Sequence, residues 1–182
     1  MTILLIVLLV LVIYVIGTFN HFVRLRNRTK EAWADIDVQL KRRYDLIPNL
    51  VNTVKGYAAH ENTAFEKVTQ ARAAAMGAPV ADKAGKEKDL SSAVHGLFAI
   101  AEAYPELKAN QNFLSLQAEL SDTENKIQAA RRFYNTNVRD LNTGLQSFPG
   151  NVIKGIGGFE AMDYFGLDDS DASARQPVEV KF

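Results

Sequence analysis

The chain has no cysteine among its 182 residues. That removes disulfide bonds, thiolate nucleophiles and cysteine-based zinc sites together, and it leaves the redox compartment open. Net charge is also missing. Twenty-one Lys and Arg balance 21 Asp and Glu, so no global field draws the chain to nucleic acid. Histidine is scarce, with three copies, at positions 21, 60 and 95. His60 opens His-Glu-Asn-Thr-Ala, and Ala64 stands where a zinc-binding helix carries its second histidine. Tyr57 and Ser92 precede His60 and His95 by three residues, so the Glu-x-x-His motif of di-metal bundles is absent. Lys-Gly-Ile-Gly-Gly-Phe at 154–159 lacks the spacing and the Lys-Ser/Thr of a phosphate loop. A calcium loop counted from Asp168 ends correctly on Glu179. Ala172 and Ser173 nevertheless fall where a ligand and the obligatory glycine belong. No serine sits in Gly-x-Ser-x-Gly. Glu61, Glu102 and Glu124 remain as carboxylates that nothing in the sequence pairs. These absences predict a chain without catalytic residues, metal or cofactor, and therefore not an enzyme.

Charge is absent from 2–23, TILLIVLLVLVIYVIGTFNHFV. About 20 apolar residues cross a bilayer core, and this run has that length. The rival reading, a cleaved signal peptide, calls for a basic start and a small-x-small cleavage site. No Lys or Arg precedes the run, and 15–19 is a poor cleavage site. A single uncleaved transmembrane anchor over 1–23 is expected, with the lipid bilayer as its first partner. Arg24, Arg26, Arg28 and Lys30 follow directly, with no acid among them. Basic flanks stay cytoplasmic, so the N-terminus is expected outside and the chain from 24 onward inside.

Over the whole chain 47% apolar and 23% charged residues are those of an ordinary globular protein, and beyond the anchor the period is helical. Trp33, Ile36, Leu40, Tyr44, Ile47, Val51, Val54 and Ala58 step by three and four, which puts them on one helix stripe. A break is expected at 60–62 and a loop at 76–85, where two Gly and one Pro gather. Leu90, Val94, Leu97, Ala101 and Tyr104 mark the next helix, which Pro105 ends or kinks. The longest pattern runs over 110–148: Phe113, Leu116, Leu120, Thr123, Ile127, Ala130, Tyr134, Asn137, Leu141, Leu145 and Phe148. As a helix it is roughly 58 Å long, and a repeat near 3.5 implies coiled-coil-like packing on a long partner. The helix containing 39–58 is that partner. The predicted fold is all-α: a transmembrane helix continuing into an elongated antiparallel bundle of three or four helices over 24–148. Residues 149–182 are expected to be a glycine- and aromatic-rich segment that packs back, then a mobile acidic tail.

Pro48 lies inside one of these helices. It removes the hydrogen bond to the Tyr44 carbonyl, so a kink is expected. Arg42, Arg43, Asp45, Asn49 and Asn52 surround it. Asp45, Asn49 and Asn52 form a polar stripe, and Glu124, Gln128, Arg131 and Asn135 form another on the long helix. One reading is a polar layer inside or beside the core, built from Asp45, Pro48, Asn49, Asn52, Glu124, Arg131 and Asn135, with the freed carbonyl as an acceptor. The other is that these groups face water as ordinary helix pairs.

The segments RRYDLIPNLVNTVKGYAAHE, FEKVTQARAAA, AYPELKANQNFLSLQAEL, ENKIQAARRFYNTNVRDLN and FPGNVIKG, in this order, resemble the LemA family of bacterial membrane proteins. The resemblance covers nearly the whole chain. It implies an inner-membrane protein with its N-terminus outside and a cytoplasmic helical bundle. It implies no reaction. Relatives are associated with magnetosome membranes and are often encoded near membrane proteases. Three functions are open at this point. The first is a membrane-tethered scaffold or adaptor that forms homo-oligomers or meets a membrane or cytoplasmic protein partner. Phe22, Phe98 and Ile100 are either its contacts or core. The second is a regulator of a membrane protease or signalling complex acting through the patch at Pro48. The third is a ligand-binding or enzymatic bundle with Asp45, Asn49 and Arg131 in a cleft.

Overall fold

In the computed structural model, residues 1–166 are described, and among them there is no strand. Six helices follow in order: α1 Thr2–Lys55, α2 Asn62–Gly77, α3 Val80–Glu102, α4 Pro105–Lys108, α5 Gln111–Gln146 and α6 Gly150–Gly157. With 54 residues α1 is the longest, and at 1.5 Å per residue it measures roughly 81 Å. The charge-free run and the bundle helix are one element. The apolar side chains of 3–16 are exposed, and the stretch apolar enough to cross a membrane has none of its residues buried in the protein.

Above that stretch the stripe packs. Ile36, Leu40, Ile47, Leu50 and Val54 are buried at no more than 1% exposure. Their main partner is α5, whose first turn is fixed by the Asn110 side chain accepting from the Phe113 N–H at 3.0 Å. The pair is antiparallel. Trp33 meets Tyr134 with ring centroids 5.3 Å apart. Ten residues up α1, Arg43 meets Glu124, ten residues back along α5. At the far end the Tyr57 hydroxyl accepts from Asn110 Nδ2 at 2.9 Å.

The hairpin of α2 and α3 covers the half of this pair that lies away from the N-terminus. Phe65, Val68, Leu90, Leu97, Leu107 and Phe113 join one core with the α1 stripe. The expected loop at 76–85 shrinks to Ala78 and Pro79, because α3 already starts at Val80. Pro79 supplies an extended cap (φ −64°, ψ 161°) and stops α2. Gly85 has open space beside it and rides inside the helix. Toward the N-terminus, where the hairpin ends, a second core takes over: Phe22, Leu141, Leu145, Ile153 and Phe159. Segment 158–166 then runs back along α5 and adds Phe165 to the main core. Phe148, counted above with the α5 stripe, is 81% exposed, since α5 has ended at Gln146. The acidic tail and the calcium-loop frame at Asp168 lie outside the described residues.

Candidate functional site: a buried polar layer and the groove over it

Arg43 lies on the α1 stripe between Leu40 and Ile47 and is 4% exposed. Its guanidinium spans three elements. Nη1 donates to Glu124 Oε2 of α5 at 2.6 Å and to Ser91 Oγ of α3 at 3.0 Å. Nη2 pairs with Glu87 of α3. The second Glu87 oxygen accepts from the Tyr44 hydroxyl. Burial pushes the Tyr44 phenol above its ordinary range, against the opposing pull of the Arg43 charge. Two carboxylates on one guanidinium, with the Tyr44 hydroxyl donating to the free oxygen of Glu87 and the Ser91 hydroxyl accepting from Arg43, are the kind of partners a buried charge requires. One defect remains in this cluster: Arg43 Nε is buried and unbonded.

Two turns further down α5, the same face grips the returning chain. Arg131 Nε donates to the Phe165 carbonyl at 3.0 Å, and Nη2 donates to the Gly166 carbonyl at 2.5 Å. Asn135 makes a two-way clamp on Phe165: its Nδ2 donates to the carbonyl (3.1 Å) and its Oδ1 accepts from the N–H (2.9 Å). Asn142, two turns on, does the same to Met162, with both bonds at 2.9 Å. The Tyr134 hydroxyl donates to the Asp163 carbonyl at 2.9 Å. An irregular segment thus finds its backbone partners on a helix, largely through amide side chains, which satisfies polar groups that lie against the core.

Between α3 and α5 lies an open groove of about 930 Å³. Arg43, Glu87 and Glu124 line its base, and Arg131 and Gly166 close one end. Its rim carries both signs of charge, with Asp82, Lys86, Lys88 and Asp89. A smaller cavity of about 420 Å³ adjoins it, lined by Trp33, Val80, Tyr134, Met162 and Phe165.

The sequence-derived layer is thereby redrawn. Glu124, Arg131 and Asn135 of α5 do enter partly buried polar contacts. Asp45, Pro48, Asn49 and Asn52 do not: all four are exposed on α1. Their three-and-four spacing is that of the face turned from α5, and water solvates them. Asp45 and Asn49 line neither cavity, so they share no cleft with Arg131. The carbonyl freed by Pro48, that of Tyr44, accepts from Arg72 Nε of α2 at 2.7 Å, and α1 runs through Pro48 without a break. Arg24, Arg28 and Lys30 are exposed, while Arg26 folds over the Phe159 ring at 5.3 Å. Phe22 is core at 3% exposure; Phe98 and Ile100 are half-buried against the main core. His60 and His95 are exposed. No group of three or more His, Asp or Glu converges to hold a metal among the described residues.

The profile of the LemA family matches residues 32–182. Protein LemA of Metamycoplasma hominis is 26% identical over 167 residues, covering 91% of this chain and 74% of that protein. Magnetosome protein MamQ 2 of Paramagnetospirillum magneticum is 25% identical over 174 residues, covering 81% of this chain and 64% of its own length. Magnetosome protein MamQ of Magnetospirillum gryphiswaldense is 24% identical with the same coverage. The chain therefore spans somewhat less than two thirds of the MamQ proteins it matches. Since the profile takes in α5, the returning segment and all of α1 beyond Glu31, the chain belongs to the LemA family.

Proposed function

We propose that this protein is a membrane-anchored helical scaffold without catalytic activity. In this reading α1 crosses a bacterial inner membrane with its N-terminus outside and carries the bundle in the cytoplasm. The observation that supports it most is the continuity of α1, one helix from the charge-free run into the core of the bundle. Such a rod holds its cargo at a fixed height and orientation over the bilayer. The polar layer supports a structural role for its charges, because Glu87 spends both oxygens on Arg43 and Tyr44. Tethered copies meet at high effective concentration. Leu114 and Phe133, 46% and 55% exposed on α5, offer them apolar contacts. Relatives named for the magnetosome favour a task at a membrane.

Crosslinking in intact membranes followed by mass spectrometry tests the scaffold reading. Adducts between copies, or with one membrane protein, are expected. A chain that stays monomeric and partnerless would sink it. Protease added outside intact cells tests the orientation, and should leave the region beyond Lys30 intact. A second reading, docking of a membrane protease or signalling complex at Pro48, draws on the exposed stripe of Asp45, Asn49 and Asn52. Alanine at these three positions then removes a foreign adduct and leaves the fold unchanged.

A further inference from the structure

We propose that α6 and the turn before it form a second membrane contact, with Phe148, Val152 and Ile156 inserted into the lipid interface beside α1. The proposal rests on the reading of α1 as a bilayer span. Three observations carry it.

The first is the shape of α6. Ile153 is buried at 3% in the core with Phe22 and Leu145, while Val152 and Ile156, one turn apart, are 59% and 76% exposed. Phe148 just before the helix is 81% exposed. Single exposed apolar residues are normal, but a cluster on so short a segment marks a contact surface.

The second is depth. Gly150 fits against the Gly144 carbonyl and the Phe22 ring, where a Cβ would stand 2.1 Å and 2.6 Å from them. Gly157 fits against the Phe19 ring, where a Cβ would stand at 2.9 Å. These two contacts pin α6 along α1 at Phe19–Phe22, inside the charge-free run. Phe19 lies five residues before Arg24, the first charge, or roughly 7.5 Å along the axis. Amphipathic helices that lie in a bilayer surface bury their apolar face about 5–10 Å deep. Toward the N-terminus the next turn of α1 presents Val15 and Ile16, at 39% and 54% exposure, so the apolar surface is continuous with the span.

The third is charge. Residues 148–159 contain Lys154 and no acid. The exposed basic groups nearest in α1 are Arg24 and Arg28. One exposed acid, Glu160, follows Phe159, and four cations outweigh it here: Arg24, Arg26, Arg28 and Lys154. A lipid interface accounts for all three observations together, whereas a second copy of the chain accounts for exposure alone.

The chain has no cysteine, so a single spin label reports one position. Val152→Cys and Ile156→Cys are surface changes. Leu8→Cys in the span and Val38→Cys on the bundle serve as controls. Each full-length variant is labelled and reconstituted in phosphatidylethanolamine–phosphatidylglycerol vesicles. Labels at 152 and 156 should collide with oxygen in preference to a water-soluble nickel chelate, as at position 8, whereas position 38 shows the reverse. Nickel access at 152 and 156 equal to that at 38 overturns the proposal. So does exclusion of both reagents, which would mean protein cover. Nickel access at position 8 as well would defeat the spanning reading of α1 and this proposal with it.

Discussion

Arg43 of α1 and Glu87 of α3 form the most buried ion pair among the described residues, with side chains 5% and 8% exposed. The pair ties the α2–α3 hairpin to the long α1–α5 pair at mid-bundle. Removing one member leaves the other charge buried. Glu87→Leu or Arg43→Met alone is expected to cost about 3–5 kcal/mol. The double variant should recover much of that loss, because apolar side chains replace both charges and the half-exposed Glu124 can turn to water. Thermal unfolding of the detergent-solubilised chain checks this. A double variant as damaged as the sum of the singles would mean that the layer is not a coupled unit.

The two asparagine clamps make a separable prediction. Asn135→Ala leaves the Phe165 N–H without its side-chain partner and its carbonyl with Arg131 alone, and Asn142→Ala leaves both the N–H and the carbonyl of Met162 without theirs. An unsatisfied buried polar group costs about 1–3 kcal/mol. The loss should be local. Amide exchange at 159–166 is expected to accelerate while the α1–α5 core keeps its protection. Uniform loss across the bundle would show that the segment is part of the cooperative core.

Legibility in the sequence divides along physical lines. The helices of α1 and α5 were readable because their burial is one-sided, so the seam repeats at three and four residues. Arg43 sits on that seam, seven residues from Ile36 and Leu50, and Glu87 sits three residues before Leu90 on its own. A charge at a seam position was the available signal. It was masked by Asp45, Asn49 and Asn52, whose spacing is just as regular on the wet face. Which polar residue meets which is a tertiary fact that no single helix encodes. The hairpin tip was overread, since Gly85 looks like a loop residue but costs only about 1 kcal/mol in an exposed helix. The asparagine clamps were unreadable, because their partners are backbone groups.

Gly150 should prove intolerant. A methyl group there would meet the Gly144 carbonyl and the Phe22 ring within van der Waals distance. The carbonyl belongs to α5 and cannot swing aside. Gly150→Ala is expected to detach α6 and cost roughly 1–3 kcal/mol, the range for overpacking. Gly155→Ala, with open space around it, is the matched control and should be neutral or slightly stabilising. Equal behaviour of the two variants in unfolding and in amide exchange at 150–157 would refute the packing argument.

Alkaline pH should loosen the bundle through two tyrosines. Burial raises the phenols of both Tyr44 and Tyr134, and the nearby Asp163 raises Tyr134 further. A raised folded-state pKa means that the fold favours the protonated phenol. That contribution is complete below the ordinary tyrosine value near 10 and fades as pH rises through the folded value. Stability should therefore fall above about pH 10, more steeply in the parent than in Tyr44→Phe/Tyr134→Phe. Lysines titrate in both proteins, so the difference between the two curves isolates the phenols. Parallel curves would mean that the phenols ionise as freely in the fold as outside it.

Pro48 is the residue whose cost most needs an offset. A proline inside a helix removes one hydrogen bond and costs about 3 kcal/mol, yet α1 continues through it. The orphaned Tyr44 carbonyl is taken by Arg72 of α2, which converts a local defect into a tie between two helices. The charged donor is worth about 1.5–3 kcal/mol, close to the size of the defect. Arg72→Ala should accordingly be costly in the parent, because it leaves that carbonyl with no donor. In a Pro48→Ala background the restored backbone N–H supplies the Tyr44 carbonyl, and Arg72→Ala should cost measurably less. Pro48→Ala alone should stabilise, since the helix regains its bond and keeps Arg72 as a second donor to the carbonyl's other lone pair. A double-mutant cycle by denaturant unfolding measures the coupling. An Arg72→Ala penalty that is identical with and without the proline would show that the tie between α1 and α2 has nothing to do with the gap that Pro48 opens.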